Sequence, residues 1–162
     1  MPKLLNKNKQ KQNNNKKEKN NQKQKTNKIL NNTDFVPIIL DTNFLLTMVR
    51  YKIHGLEEIK TKIKCKFFTM SRVMFELEAL GKREKKIAKE LLLVKQIIKN
   101  NEIKIIDSTM EDVDTELVEK SKQGNIIATN DKNLRERIKK AGGKSIYIRS
   151  LNFIETSEIE QN

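Results

Sequence analysis

The sequence predicts an α/β fold, a three-layer α/β/α sandwich around a mostly parallel sheet of about five strands, preceded by a disordered basic arm. Three observations carry this. From about residue 34, short β-rich apolar runs alternate with segments of helical period, and parallel strands are what such crossovers join. A length of 162 residues suits one ordinary domain with a sizeable core. Before residue 34 the texture differs: residues 7–28 contain no apolar side chain. The expected organisation is an arm over 1–33, a folded domain over 34–150 and a tail over 151–162.

The arm concentrates the charge. Residues 1–28 hold ten Lys and one Glu, which is +9 of the net +13. A stretch of Lys, Asn and Gln cannot bury enough surface to offset its ordering entropy, so disorder is expected. A polybasic arm fits a polyanion, and nucleic acid fits better than a membrane because aromatic and apolar anchors are lacking. Cys65 is the only cysteine, which excludes an internal disulfide framework and fits a reducing compartment. The charged start is not followed by an apolar leader segment, and no apolar run approaches the roughly 18 residues of a span. A soluble, cytoplasmic protein without membrane attachment is expected.

Within the domain the elements follow in order. "FVPIIL" (35–40) is a strand whose Pro37 leaves it regular only from Ile38. "NFLLTMVRYKI" (43–53) has helical spacing and ends at His54-Gly55, with Gly55 suited to a left-handed cap. "KFFTM" (66–70) is the second strand, and Ser71 can cap the helix "RVMFELEAL". After Gly81 a long amphipathic helix runs through "REKKIAKELLLVKQIIKNN", followed by the strand "IKII" (103–106). "STME" (108–111) has the form of a capping box opening the next helix. "NIIAT", "KNLRERIKKA" and "KSIYI" then give a strand, a helix and a fifth strand.

In such sheets ligands bind beyond the carboxyl ends of the strands. Asp41 follows the first strand and Asp131 the fourth; either could simply cap the helix it precedes. The intervening helices add weight. Helical phase places Asp114 within the apolar stripe of Val113, Leu117, Val118 and Ser121, with Asp112 and Glu116 pointing away. A core-facing charge costs several kcal/mol unless it is paired or ligates a metal. Glu76 borders the stripe of Val73, Leu77 and Leu80, while Glu78 lies opposite. Each βα unit thus offers one carboxylate near a strand end: Asp41, Glu76, Asp114 and Asp131. Gathered together they would repel unless a cation neutralised them, and oxygen-only ligation selects Mg²⁺ or Mn²⁺.

The ordered set "ILDTNFLL", "VMFELEALG", "VDTELVEKS" and "IIATNDKNLRERI" resembles the motifs of PIN-domain nucleases over about residues 35–150. "VMFELEALG", the "ATND–LR" run and "IYIR" look most like the branch that processes small-subunit ribosomal RNA and its archaeal relatives, and less like the toxins of toxin–antitoxin pairs. The resemblance implies that Asp41, Glu76, Asp114 and Asp131 form an acidic metal site, with Asn43 and Thr129 as polar supports. That branch often shows two adjacent aspartates where this chain reads Asp114-Thr115, which keeps Asp112 open as a substitute. The implied activity is metal-dependent endoribonuclease cleavage, leaving 5′-phosphate and 3′-hydroxyl ends if two metals act, with a ribosomal RNA precursor as partner. A homodimer and partners in ribosome assembly are compatible with it.

Other chemistries find little support. His54 is the only histidine, against histidine-based triads and acid–base pairs. "AGGK" lacks the spacing of a phosphate-binding loop. A phosphotransferase built on an aspartate after the first strand wants a second acid where this chain has Asn43. The remaining alternatives are a PIN fold serving as a catalytically weak or inactive RNA-binding scaffold in ribosome assembly, or a toxin-type PIN ribonuclease. Deleting residues 1–28 is expected to weaken RNA binding and flatten its salt dependence while leaving thermal stability nearly unchanged. An unaltered salt slope in the truncated protein would remove the arm's role.

Overall fold

The computed structural model describes residues 35–150 and 153–156. The arm expected over 1–33 lies outside the described residues, as does most of the tail. The elements are β1 (Val36–Leu40), α1 (Thr42–Tyr51), α2 (Gly55–Lys62), β2 (Cys65–Met70), α3 (Ser71–Arg83), α4 (Lys85–Asn100), β3 (Lys104–Ile106), α5 (Val113–Lys122), β4 (Ile126–Ala128), α6 (Lys132–Lys140), β5 (Lys144–Arg149) and β6 (Phe153–Thr156). They form one sheet of order β3-β2-β1-β4-β5-β6. The first five strands are parallel and β6 runs antiparallel to β5.

Strand order reverses after β3, where the chain returns past β1 to lay down β4. With right-handed crossovers, that reversal puts α1, α3 and α4 on one face and α5 and α6 on the other. The packing agrees: α1 meets α3 and α4, while α5 meets α6. Central strands are buried on both faces, so β1 closes on Ile38, Ile39 and Leu40, all 1% exposed or less. Pro37 is tolerated because β4 pairs only from Ile38 onward, so its missing N–H interrupts no bond on that side. Between α1 and α4, the guanidinium of Arg50 grips the buried Glu90 through Nε (3.1 Å to each oxygen) and Nη2 (2.9 Å). Among the described residues no helix is long and apolar enough to cross a membrane.

Several local expectations are corrected. The first helix ends at Tyr51 with Lys52 in the left-handed conformation, and Gly55 instead opens an additional helix. What Gly55 supplies is closeness: a Cβ there would stand 2.9 Å from Cδ1 of Ile154 on β6. The sheet has a sixth strand, which lies in the expected tail and returns after Ser150 takes a positive φ of 51°. Ser71 does not cap its own helix. Its Oγ accepts from the Ser108 N–H (3.0 Å), and Ser108 Oγ in turn accepts from the Arg72 N–H (3.0 Å). The two serines therefore lock the start of α3 to the loop after β3.

The capping box at 108–111 does not form. The helix begins at Val113 with Asp112 as its cap, accepting from the Thr115 N–H at 3.0 Å. Its inward stripe is Val113, Glu116, Leu117 and Ser121, so Glu116, expected to face away, is 1% exposed. Glu116 turns back beneath the preceding loop. Its carboxylate accepts from the Thr109 N–H (2.9 and 3.0 Å), Thr109 Oγ1 (2.8 Å) and the Met110 N–H (3.1 Å). Hydrogen bonds to charged groups each stabilise by about 1.5–3 kcal/mol, and the orphaned loop donors add a desolvation cost. Glu116→Ala is expected to destabilise the fold by roughly 2–4 kcal/mol in urea unfolding, and Glu116→Gln by less, since an amide oxygen still accepts. Equal stability of the Ala variant and the parent would show that the loop holds its shape without this carboxylate.

Candidate active site

The switch in strand order falls between β1 and β4, and both strands end in polar residues there. The Asp41 N–H closes their junction by donating to Ala128 O (3.0 Å), while the Thr129 N–H donates onward to Ile146 O on β5 (2.9 Å). Asp41 is 7% exposed and Thr129 fully buried. Across this junction Thr129 Oγ1 donates to Asp41 Oδ2 at 2.8 Å, while Asp41 Oδ1 accepts from the Thr42 N–H at 2.7 Å. Thr129 Oγ1 also accepts from the Asp131 N–H at 3.1 Å. One hydroxyl thus ties the first strand's acid to the backbone of the fourth strand's acid.

Asp131 caps α6, accepting from the N–H groups of Asn133 (2.7 Å) and Leu134 (3.1 Å), both at Oδ1. Glu76, one turn into α3, is half-buried, and its Oε2 accepts from Thr42 Oγ1 at 3.1 Å. Asp114 departs from expectation. Its side chain is 45% exposed and lies 3.5 Å from Arg137 Nη1 rather than in the apolar stripe. With Met110 outside the helix and Val118 only partly buried, the buried face is centred on Val113, Glu116, Leu117 and Ser121, which leaves Asp114 at the edge between α5 and α6. Asp112 is more exposed still, 3.9 Å from Arg137 Nη2, and is engaged by Thr115. Asn43 sits exposed in the first turn of α1; the hydrogen bonds to the acids come from Thr42 and Thr129.

The four acids share one electrostatic field. The Asp41 carboxyl is pushed up from 3.8 to about 6, chiefly by burial, with Asp114 and Glu76 adding to the rise and the Thr129 and Thr42 hydrogen bonds opposing it. Asp114 is raised by burial as well, with Arg137 opposing and Asp112 and Asp131 contributing. Yet among the described residues no three His, Cys, Asp or Glu side chains stand close enough to enclose one ion. The oxygen-only donor set fits a hard divalent cation. Mg²⁺ habitually takes one or two carboxylates and completes its shell with water or phosphate oxygens. Thr42 and Arg137 escaped the sequence reading. The only signal for Thr42 is its place beside Asp41, and for Arg137 its position on the helix that Asp131 caps.

Residues 38–151 match the family described as PIN like domain. The chain is 31% identical over 123 residues to Ribonuclease VapC4 of Methanocaldococcus jannaschii, spanning 73% of this chain and 94% of that protein. The fold is similar to the solved structure of the PIN domain endonuclease Utp24, with a TM-score of 0.61 and 28% identity over 74% of this chain and 90% of that one. A domain of a functionally unknown protein from Methanocaldococcus jannaschii has a TM-score of 0.54 at 15% identity, covering 78% and 98% of the two chains, a likeness of fold alone.

Asp41's raised pKa has a consequence for stability. The unfolded chain loses this proton near 3.8 and the folded chain near 6, so between those values the native state holds a proton that the unfolded state lacks. Without divalent metal, stability should therefore fall as pH rises from about 4 to about 6 and stay lowered above that. Asp41→Asn is expected to raise metal-free stability at neutral pH by roughly 1–3 kcal/mol and to flatten that slope. Unfolding of both proteins across this pH window checks it, and identical curves would mean that ionised Asp41 carries no burial penalty.

Proposed function

The chain belongs to the PIN-like domain family, and from that premise we propose that it is a divalent-metal-dependent endoribonuclease acting on a ribosomal RNA precursor in the cytoplasm. One observation carries the reading. A buried carboxylate, Asp41, stands at the strand switch under the field of two further acids, a costly arrangement that has a purpose if a cation is to be held there. The ribosomal part rests on the motif resemblance; the likeness to the PIN domain endonuclease Utp24 supports endonucleolytic cleavage.

Asp41, Glu76, Asp114 and Asp131 would hold Mg²⁺ or Mn²⁺, which when bound supplies charge that polarises a phosphoryl oxygen and acidifies water. The protein's part is positioning. Thr129 and the Thr42 N–H fix both oxygens of Asp41, Thr42 Oγ1 aims Glu76, and Asp131 is held by its cap with both bonds on one oxygen. Arg137 offsets the charge of Asp114 in the metal-free protein. That same pairing favours a second reading, an RNA-binding scaffold with a catalytically weak site, because a guanidinium there competes with a cation.

Cleavage of structured and unstructured RNA with and without Mg²⁺ or Mn²⁺ separates the two. The nuclease reading expects metal-dependent cleavage that is lost in Asp41→Asn. It also expects Thr129→Ala and Asn43→Ala to slow the rate roughly 10- to 100-fold while metal still binds. RNA binding without cleavage under any divalent metal would favour the scaffold.

A further inference from the structure

We propose that Phe75 and Arg72 form a platform on which an unpaired base of the RNA stacks, immediately outside the carboxylate cleft. The inference rests on the ribonuclease reading and names the form of substrate it takes. Phe75 is 63% exposed although its helix buries Val73 and Leu77. It is therefore a large apolar ring placed off the inward stripe of α3. It directly precedes Glu76, which Thr42 holds beside Asp41. The Arg72 guanidinium, one turn earlier on the same helix face, lies over the ring at 5.7 Å from its centre. The Arg72 backbone is itself anchored, because its N–H donates to Ser108 Oγ.

The occupant follows from charge and shape. Carboxylates repel a phosphate backbone, so the rim of an acidic cleft needs a cation and a surface that grips the nucleic acid by something other than its charge. An aromatic ring beside a guanidinium offers both. The ring takes the π-face of any base, and the guanidinium takes the flanking phosphate. In an A-form duplex the base faces are stacked inward, so such a platform engages only unpaired nucleotides. The cleft would then select single-stranded or looped RNA.

The test is fluorescence anisotropy with the full chain in an Asp41→Asn background, so that binding is read without turnover. The probes are a labelled unstructured oligoribonucleotide and a duplex of the same length. Phe75→Ala is expected to weaken single-strand binding roughly 5- to 100-fold, to spare duplex binding, and to be rescued by Phe75→Trp. Arg72→Ala should reduce the salt slope by about one contact. Unchanged single-strand affinity in Phe75→Ala, or an equal loss on duplex, would overturn the platform. So would a changed sedimentation mass with unchanged RNA affinity, which would assign the ring to a second copy of the chain. Absence of cleavage by the wild type would undo the nuclease reading while the binding comparison still decided the platform.

Discussion

The hydrogen bond from Thr129 to Asp41 joins two strands that are 88 residues apart in sequence, and the arrangement of the site depends on it. The parallel pairing of β1 with β4 brings the two strand ends level, so that Leu40 lies beside Ala128 and the residues just beyond them meet. Two of the other acids are placed relative to that pair. Glu76 is reached through Thr42, the residue after Asp41, and Asp131 through the same threonine hydroxyl that holds Asp41. A buried carboxylate costs stability even when both its oxygens are hydrogen-bonded, and the fold bears that cost where its strand order switches.

Strand-end chemistry was legible in the sequence because strand ends are marked by composition. "ILD" and "IATND" pass from β-branched residues to polar ones within a step or two, and Asp41, Thr129 and Asp131 stand where that pattern puts them. Asp131 caps its helix with both cap bonds on one oxygen, Oδ1. Helical phase was a poorer guide. The face it picks depends on which residues belong to the helix, and the start of α5, set by Asp112 capping and by Glu116 reaching back into the loop, leaves Met110 outside. Neither is a periodic signal. A glutamate satisfied by three loop donors in a buried position is invisible to a pattern that equates charge with solvent, so Asp114 was placed too deep.

The additional elements were missed for a related reason. Gly55 is read as a terminator when only its backbone freedom is considered, yet here its lack of a side chain is what β6 requires. The segment "FIET" is too short to stand out as a strand. It is paired because β5 offers an open edge and because the Ile154 N–H lies 3.4 Å from the Glu58 carboxylate on α2. Tertiary partners of this kind make strands out of sequences whose own preference is weak.

The serine pair at positions 71 and 108 gives the cleft a particular mechanics. Asp41 and Asp131 ride on the sheet, bridged by a threonine. Glu76 and Asp114 ride on helices whose approaches are clasped by the two serines, on opposite sides of the clasp. The four acids are thus tied in two groups rather than standing as four independent arms, and the groups are joined by the bond from Thr42 to Glu76 and by the pairing of Arg137 with Asp114. Under the proposed nuclease reading, a strand of nucleic acid in that cleft would meet acids already set in place by these bonds.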